Sequence, residues 1–260
     1  MTLRVALGQY DIGWQDPDAS LARAAAVVRR AADAGARLVV LPEMAPTGFT
    51  MDARAHAEPL AGPSGRRLAE VAREAGVWLL SGIATCAPGG AGGSAYYNSA
   101  ALHTPDGSLA AEYRKQKLFA YAGEHESYAP GDGPVVAEVE GVRLSPFVCY
   151  DLRFPELFRA VAPRVDLVCV IANWPASRQA HWDALVRARA IENQCWVVAV
   201  NRIGRSGRLD YGGGSAAYDP WGEPALLARD ADAAERALVV EVDPTRVEAV
   251  RGEYPFLKDM

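Results

Sequence analysis

Short apolar runs, each long enough for one strand, alternate along this chain with stretches of good helix formers. The runs Val5–Leu7, Leu38–Leu41 and Val77–Ile83 frame two predicted helices, Ala19–Ala34 and Ser64–Ala75, the second with Ser64 as its N-cap. Continuous apolar runs of this length suit strands that are buried on both faces. The alternation therefore predicts an α/β protein in which helices cover a sheet.

The middle of the chain predicts hairpins instead. Tyr97–His103 and Gly107–Tyr113 flank a Pro-Asp-Gly turn, while Val135–Val139 and Val142–Val148 flank a Glu-Gly turn. Such turn residues between β-prone runs indicate antiparallel pairs. A glycine-rich stretch at 89–93 predicts a flexible turn. We therefore expect a mixed sheet, or two sheets, with helices outside.

In the second half of the chain, predicted strands again alternate with predicted helices. A single domain over residues 1–260 is expected. No repeat, low-complexity linker or shift of composition divides the sequence, and a chain of 260 residues can bury a sizeable core without disulfides or metals. The predicted helices are Pro155–Val161 and His181–Asn193, and the predicted strands are Leu167–Ala172, Trp196–Asn201, Gly214–Asp219 and Ala237–Val242.

Composition excludes several classes of protein. The net charge of −5, without a basic stripe, argues against a nucleic-acid partner. No run approaches the 18 apolar residues of a membrane span. The four cysteines form no CxxC pair and no zinc-ligand spacing, so no metal is expected. The N-terminus lacks the apolar core of a signal peptide, and the scattered thiols favour a cytoplasmic location.

Three polar side chains stand at or just beyond the ends of predicted strands, where open α/β folds place their chemistry. Glu43 closes LVVLPE (38–43), Lys115 lies in YRKQKLF (113–119), and Cys149 lies in SPFVCYDLRF (145–154). Taken alone, each residue has a simpler interpretation. Glu43 suits a solvated carboxylate, Lys115 suits a solvated basic cluster, and Cys149 suits a thiol packed in the core. Together they supply a base, a cation and a nucleophile.

Cys149 closes an apolar strand and precedes a turn into a predicted helix. Such a turn lifts the side chain out of the sheet, and the helix N-terminus is expected to favour the thiolate. Histidine is the usual base for a thiol, but none of His56, His103, His125 and His181 lies in a recognisable Cys–His motif. A Glu base, with a Lys to hold developing negative charge, is the alternative chemistry.

The three segments resemble the Glu–Lys–Cys signature blocks of the nitrilase, or carbon–nitrogen hydrolase, superfamily, in the same order and at about the same spacing. The resemblance runs from Val5 to about Val242 and includes NWP (173–175), HW (181–182) and ARAIENQ (188–194). It implies a nitrilase-like α-β-β-α four-layer sandwich, usually a homodimer or a higher homo-oligomer, with no cofactor.

Within the superfamily, AGEHESY (122–128) and CYDLRF (149–154) are most similar to the bacterial ω-amidase branch. That branch hydrolyses the terminal amide of 2-oxoglutaramate or 2-oxosuccinamate, giving the 2-oxo dicarboxylate and ammonia. The resemblance therefore implies a small-molecule amide as the substrate.

The resemblance also implies catalytic roles. Glu43 is the expected general base that takes the proton of Cys149, which attacks the amide carbon to form a thioester. Lys115 and the backbone N–H of Tyr150 are expected to stabilise the tetrahedral oxyanion. Water activated by Glu43 then releases the acid.

A second glutamate lines the pocket in this family. Counting back from Gly131 favours Glu124, and Glu126 is the alternative. One position departs from the family pattern: His is common two residues after the catalytic lysine, whereas this chain has Lys117. The local charge, and with it the pH optimum, does not carry over.

A 2-oxo acid needs a cation for its carboxylate, ideally the fork of an arginine, and Arg153 and Arg178 are the candidates. The competing interpretation for Arg153 is an ion pair with Glu156 or Asp151 that fixes the loop. The aromatic candidates for the wall of a small pocket, which also suit a core, are Phe119, Trp174 and Trp182.

Other functions remain open at this point. A different amidase of the superfamily, acting on aliphatic amides or N-carbamoyl compounds, is the nearest alternative, and substrate charge distinguishes it. A non-catalytic binding protein is a different class, but Gly212–Gly214 forms neither GxGxxG nor GxxxxGK[ST]. A pseudoenzyme kept for dimeric interaction is the third, against which the complete Glu–Lys–Cys set argues.

Overall fold

Two six-stranded sheets form the framework of the protein. A computed structural model describes residues 2–89, 93–228 and 235–260, and the statements below refer to these ranges. Residues 90–92 of the predicted glycine-rich turn lie outside them. The strands are β1 Leu3–Gln9, β2 Leu38–Val40, β3 Trp78–Pro88, β4 Ser94–His103, β5 Leu109–Arg114, β6 Ala137–Val139, β7 Val142–Val148, β8 Leu167–Ala172, β9 Trp196–Asn201, β10 Ile203–Ser206, β11 Leu209–Gly212, β12 Ala216–Tyr218, β13 Pro224–Leu227 and β14 Arg236–Val242.

The helices lie on the outer faces of the sheets. Short 3₁₀ turns, among them Cys149–Arg153, complete the regular structure. The α-helices are α1 Pro17–Asp33, α2 Ala53–His56, α3 Pro63–Ala75, α4 Glu124–Ser127, α5 Pro155–Arg159, α6 Gln179–Asn193 and α7 Pro244–Glu253.

The first sheet has the order β14-β1-β2-β3-β4-β5, and the second has the order β13-β12-β9-β8-β7-β6. The centres of both are parallel: β1 pairs with β2, β2 with β3, β7 with β8 and β8 with β9. The outer strands are antiparallel, as the hairpin turns predict. Strands β10 and β11 form a separate two-stranded hairpin.

Side-chain alternation along β1 shows how the layers form. Leu3, Val5 and Leu7 pack into a core that also contains Leu144 and Leu167 of the second sheet, so the two sheets face each other. Ala6, between them in sequence, belongs instead to the core beneath α1 and α3. Because both faces of the central strands are covered, these strands are apolar throughout. The order of layers is helix, sheet, sheet, helix.

Some predicted boundaries were wrong. Helix α1 begins at Pro17 with Asp16 as its N-cap, two residues before the predicted start. Ser64 lies inside α3 and is not its N-cap: the helix begins at Pro63 after Gly62, since proline at the first position needs no backbone donor. The predicted helix at Pro155–Val161 ends at Arg159.

Candidate active site

Three of the predicted residues follow strands of the two facing sheets. Glu43 lies three residues beyond β2, Lys115 follows β5 directly, and Cys149 follows β7. Glu124 is the first residue of α4. The sandwich brings the four together, because the first sheet supplies the glutamate and the lysine while the second supplies the cysteine.

Glu43, Lys115 and Glu124 form one fully buried ionic cluster. The Lys115 ammonium donates to Glu43 Oε1 at 3.0 Å, and to Glu124 Oε1 and Oε2 at 3.0 and 2.9 Å. All three side chains are 0% exposed. Buried charges persist when they are paired and hydrogen-bonded. Glu126, the alternative second glutamate, is exposed, so the structure brings Glu124 to the site.

Two asparagines hold the carboxylates in place. The Asn98 side-chain amide donates to Glu43 Oε1 at 2.7 Å and to Glu124 Oε1 at 2.8 Å. The backbone N–H of Asn173 donates to Glu43 Oε2 at 2.8 Å, and its side chain donates to the Glu43 carbonyl at 2.6 Å. Each Glu43 oxygen therefore has a fixed orientation, which a proton acceptor needs.

The cluster keeps the lysine charged. Burial alone lowers the pKa of Lys115, but the Glu124 and Glu43 carboxylates outweigh it and raise that pKa above its ordinary value. The ammonium is thus a permanent positive charge at neutral pH, suited to stabilising a negative charge that develops nearby.

Cys149 occupies a strained position. Its φ is 45°, in the left-handed region that residues other than glycine rarely adopt, and it begins the 3₁₀ turn Cys149–Arg153. Its Sγ lies 4.0 Å from the carbonyl oxygen of Asn173. Tyr150 is the second residue of the turn, and N–H groups at the start of a helical turn have no acceptor inside it. Strained backbone conformations of this kind are found mainly at functional sites.

Asp151 ties the cysteine turn to the lysine segment. Its buried carboxylate accepts from the backbone N–H of Val148 at 2.9 Å, the backbone N–H of Lys117 at 2.9 Å and the Tyr113 hydroxyl at 2.8 Å. Burial raises the pKa of Asp151 to about 6, against these hydrogen bonds, which favour the charged form. Asp151 thus fixes Cys149 relative to Lys115.

The turn after Cys149 was expected to favour the thiolate, and the surroundings of the sulfur act against it. Burial, and then the adjacent Glu43 carboxylate, raise the pKa of Cys149 well above its ordinary value, although Lys115 acts in the opposite direction. The turn after Cys149 is a single short 3₁₀ segment and not the start of an α-helix, so a helix dipole contributes little. The resting group is a thiol beside a carboxylate that can accept its proton.

A cavity of about 150 Å³ opens at the thiol. Its lining is mostly apolar and aromatic, and among the residues that the structure describes it includes two cationic side chains and no carboxylate. Phe119 and Trp174 line it as predicted, whereas Trp182 is a core residue with 0% exposure. The other lining residues are Phe49, Tyr121, Ala122, Tyr150, Arg153, Asn173, Pro175, Arg178, Leu209 and Tyr211.

The cations of the cavity are Arg153 and Arg178. Arg153 lies over the Trp174 ring at 4.8 Å and within 3.1 Å of His181 Nδ1. The predicted ion pair of Arg153 with Glu156 or Asp151 was wrong: Glu156 contacts Lys117 at 3.4 Å, and the oxygens of Asp151 accept the donors named above. Arg178 lies 5.4 Å from the centre of the Phe119 ring, its sole side-chain partner among the contacts of the described ranges.

Sequence reasoning missed four contributors to the site. Asn98 and Asn173 were not assigned roles, and Asp151 was considered only as a partner of Arg153, because one polar residue at or beside an apolar strand has no periodic signal. Tyr211 lies on the β10–β11 hairpin, which was not predicted at all. Polarity inside an otherwise buried strand was the available signal for Asn98, since a buried polar side chain must have a partner.

The chain belongs to the carbon–nitrogen hydrolase family, whose model matches residues 4–252. The predicted class, a hydrolase of carbon–nitrogen bonds other than peptide bonds, is thereby confirmed.

Among its relatives, the chain is 36% identical to the omega-amidase YafV of Yersinia enterocolitica, over 99% of this chain and 96% of the relative. It is 32% identical to the 2-oxoglutaramate amidase of Bacillus subtilis, over 97% and 95%. A solved structure of the same superfamily, XC1258 from Xanthomonas campestris with an arsenic adduct in its active site, superimposes with a TM-score of 0.91 at 33% identity, covering 100% of this chain and 97% of the other. The predicted fold class is confirmed.

Proposed function

We propose that this protein is a thiol amidohydrolase that cleaves the terminal amide of a small 2-oxo dicarboxylic acid monoamide, such as 2-oxoglutaramate or 2-oxosuccinamate. The observation that carries the proposal is the buried Glu43–Lys115–Glu124 cluster beside the Cys149 thiol, next to a cavity whose lining includes two arginines. The relatives named as omega-amidase and 2-oxoglutaramate amidase support the same activity.

In the first half-reaction, the Cys149 sulfur attacks the amide carbon while its proton passes to Glu43. The carbonyl oxygen becomes an oxyanion, which Lys115 and the N–H of Tyr150 stabilise. Glu43 then gives the proton to the amide nitrogen, the C–N bond breaks, and ammonia leaves. A thioester with Cys149 remains.

In the second half-reaction, a water molecule gives a proton to Glu43 and its oxygen attacks the thioester carbon. The second tetrahedral intermediate collapses, the C–S bond breaks, and the Cys149 sulfur recovers its proton from Glu43. One amide and one water thus give one acid and one ammonia. The raised pKa of the thiol suits this scheme, because Glu43 must act as a base in the attack. Glu124 shares the lysine and holds it in place.

The arginines provide the substrate preference. A free carboxylate in the cavity gains a charge-assisted hydrogen bond from a guanidinium. Arg178 suits this role better than Arg153, which is already engaged with Trp174 and His181. Phe119 and Trp174 enclose the short carbon chain.

Ammonia release from 2-oxoglutaramate, glutamine, acetamide and an N-carbamoyl amino acid tests the proposal, before and after treatment with iodoacetamide. We expect selective hydrolysis of the 2-oxo amide that alkylation abolishes. Cys149→Ala should abolish turnover, and Glu43→Gln and Lys115→Ala should each reduce it at least on the order of 10²-fold, as the loss of a base or an oxyanion donor does. Full activity of Cys149→Ala would contradict the mechanism.

The alternative is a family amidase for an uncharged aliphatic amide or an N-carbamoyl compound. Preference for acetamide over 2-oxoglutaramate would select it and leave the roles of Glu43, Lys115 and Cys149 unchanged. A pseudoenzyme is the outcome if no amide is hydrolysed.

We further propose a homodimer in the cytoplasm. Large apolar side chains gather on the outer face near α6 and α7: Trp221 and Tyr254 have ring centroids 4.7 Å apart, and Tyr254 and Phe256 have theirs 5.8 Å apart. A second copy of the chain suits such a face. All four cysteines are free, which agrees with a reducing compartment. No helix of the described ranges has both the length and the apolarity to cross a membrane.

A further inference from the structure

We propose that Asn98 is a positioning residue for the hydrolysis: its side-chain amide holds the Glu43 and Glu124 carboxylates while Lys115 turns a donor toward the reacting carbonyl. The inference rests on the proposed function, since it concerns the same site. Asn98 lies on β4 with 0% exposure, and its uncharged side-chain amide donates to both carboxylates.

Asn98 and Lys115 donate to the same two oxygens. Glu43 Oε1 accepts from Asn98 at 2.7 Å and from Lys115 at 3.0 Å. Glu124 Oε1 accepts from the same two side chains at 2.8 and 3.0 Å. Each oxygen thus has one neutral donor fixed on a strand and one charged donor at the end of a longer side chain.

This sharing matters when the oxyanion forms. An ammonium has three N–H donors, and Lys115 contacts three carboxylate oxygens, Glu43 Oε1 and both oxygens of Glu124. Stabilising the oxyanion takes one of these donors away. If Lys115 withdraws its donor from Oε1 of Glu43 or of Glu124, that oxygen still accepts a hydrogen bond from Asn98. The buried, charged oxygen is then not left without a donor. Without Asn98, the same oxygen would have no donor while the oxyanion forms. The activation barrier would then be higher, because an unsatisfied buried charge is unfavourable.

The side-chain carbonyl oxygen of Asn98 supports a functional role for this residue. Asn98 Oδ1 is buried and has no hydrogen-bond partner among the described residues. Turning the amide over would place this oxygen against two carboxylates, so the orientation of the side chain is fixed. A buried unpaired oxygen opposes folding, and such groups in native proteins call for an explanation other than packing. We infer that its two donors are retained for the carboxylates.

Ser99 provides a matched control on the same strand. It is also 0% exposed, and because successive side chains of a strand alternate, it faces away from the site. Its hydroxyl lies 2.7 Å from Thr85 Oγ1 and 2.9 Å from Glu112 Oε1. Ser99→Ala therefore removes buried hydrogen bonds from β4 without touching Glu43, Lys115 or Glu124.

The test compares Asn98→Leu, Asn98→Asp and Ser99→Ala on the amide that the wild type hydrolyses fastest. We expect Asn98→Leu to lower kcat on the order of 10²-fold, with KM changed less than about threefold, because the interaction acts as the oxyanion forms. Asn98→Asp keeps the shape but sets a third carboxylate against two others, so we expect it to be less active than Asn98→Leu. Ser99→Ala should keep kcat near that of the wild type.

Thermal unfolding of each variant separates positioning from folding. The proposal would be overturned if Asn98→Leu and Ser99→Ala lost kcat to a similar extent, in proportion to their losses of stability. It would also be overturned if Asn98→Asp were more active than Asn98→Leu. The preference of the wild type among amides tests the proposed function separately. A wild type inactive on every amide would overturn both.

Discussion

At the scale of single residues, the site depends on charges that are buried and fully paired. Glu43, Lys115 and Glu124 would each be unfavourable in the interior alone, and together they keep the lysine charged beside a neutral thiol. The two arginines of the cavity differ in their contacts: Arg153 contacts both Trp174 and His181, whereas Arg178 contacts the Phe119 ring.

Arg178→Gln should therefore affect charged substrates selectively. A hydrogen bond to a charged group contributes about 1.5–3 kcal/mol, so we expect kcat/KM for 2-oxoglutaramate to fall roughly 10- to 100-fold, and that for acetamide to change little. Steady-state kinetics on both amides measure this. Arg187→Gln is the control, because Arg187 contacts the Gly222 carbonyl outside the cavity lining. An equal loss on both amides would contradict a role in binding the carboxylate.

Asp151 predicts a pH dependence of stability. Its pKa is raised to about 6 from an ordinary value of 3.8, so its ionisation opposes folding, and the stability that it contributes at low pH is lost as pH rises from about 4 through 6. A shift of about two units corresponds to about 3 kcal/mol. Urea unfolding at pH 4–7 should show the wild type losing about that much stability relative to Asp151→Asn.

Asp166→Asn is the control for this measurement. Asp166 is a buried carboxylate that accepts from Arg143 at 2.6 Å, away from the site. A wild type that gains stability relative to Asp151→Asn as pH rises would show the opposite sign and contradict the account. The expected sign would mean that the protein keeps this carboxylate, despite its effect on stability, to hold the Cys149 turn.

At the scale of elements, prediction succeeded where burial on both faces leaves a continuous apolar run. Strands Leu167–Ala172 and Trp196–Asn201 have the predicted bounds for this reason. The β10–β11 hairpin was missed because its short strands carry exposed and buried residues without clear alternation. Helix α7 was missed because few of its residues are buried and they form no marked stripe.

The same limit applies to the site. Glu43, Lys115 and Cys149 were predicted because three separated segments resemble one family, and the fold brings the three side chains together. Asn98 and Asp151 act through side-chain contacts between distant segments, which periodicity and propensity do not encode. A single sequence therefore indicates the chemistry and leaves out the groups that orient it.

Gly82 on β3 links a strand to the position of the base. A Cβ atom at Gly82 would collide with Cα of Glu43 and the backbone nitrogen of Met44. Gly82→Ala should therefore displace Glu43, reducing kcat at least about tenfold and destabilising the fold by about 1–3 kcal/mol. Kinetics and urea unfolding measure the two effects. Gly133→Ala, where an added Cβ meets no atom within 4 Å, is the control, and equal behaviour of the two variants would argue against the contact.

At the scale of the whole molecule, the site exists because two sheets pack face to face. Tyr113 of the first sheet donates to Asp151, which follows β7 of the second sheet, and Asn173, which follows β8 of the second sheet, donates to Glu43. Activity should thus be lost with global unfolding and not before it.

The proposed dimer makes a separate prediction at this scale. Phe256→Asp and Trp221→Asp place charges in the exposed aromatic face and should convert a dimer of the 27.8 kDa chain to a monomer, because an unpaired charge is unfavourable in an apolar interface. Sedimentation velocity measures the mass. Leu109→Asp, at another exposed apolar position, should leave the dimer intact. A monomeric wild type would contradict the proposal.

The central claim is a thioester at Cys149, and rapid acid quenching during turnover of 2-oxoglutaramate tests it most directly. Intact-protein mass and peptide mapping should show one acyl group on Cys149, absent from the other three cysteines and from Cys149→Ala. Turnover with no acyl group on Cys149 at any time, or with the group on Cys86, would contradict the account.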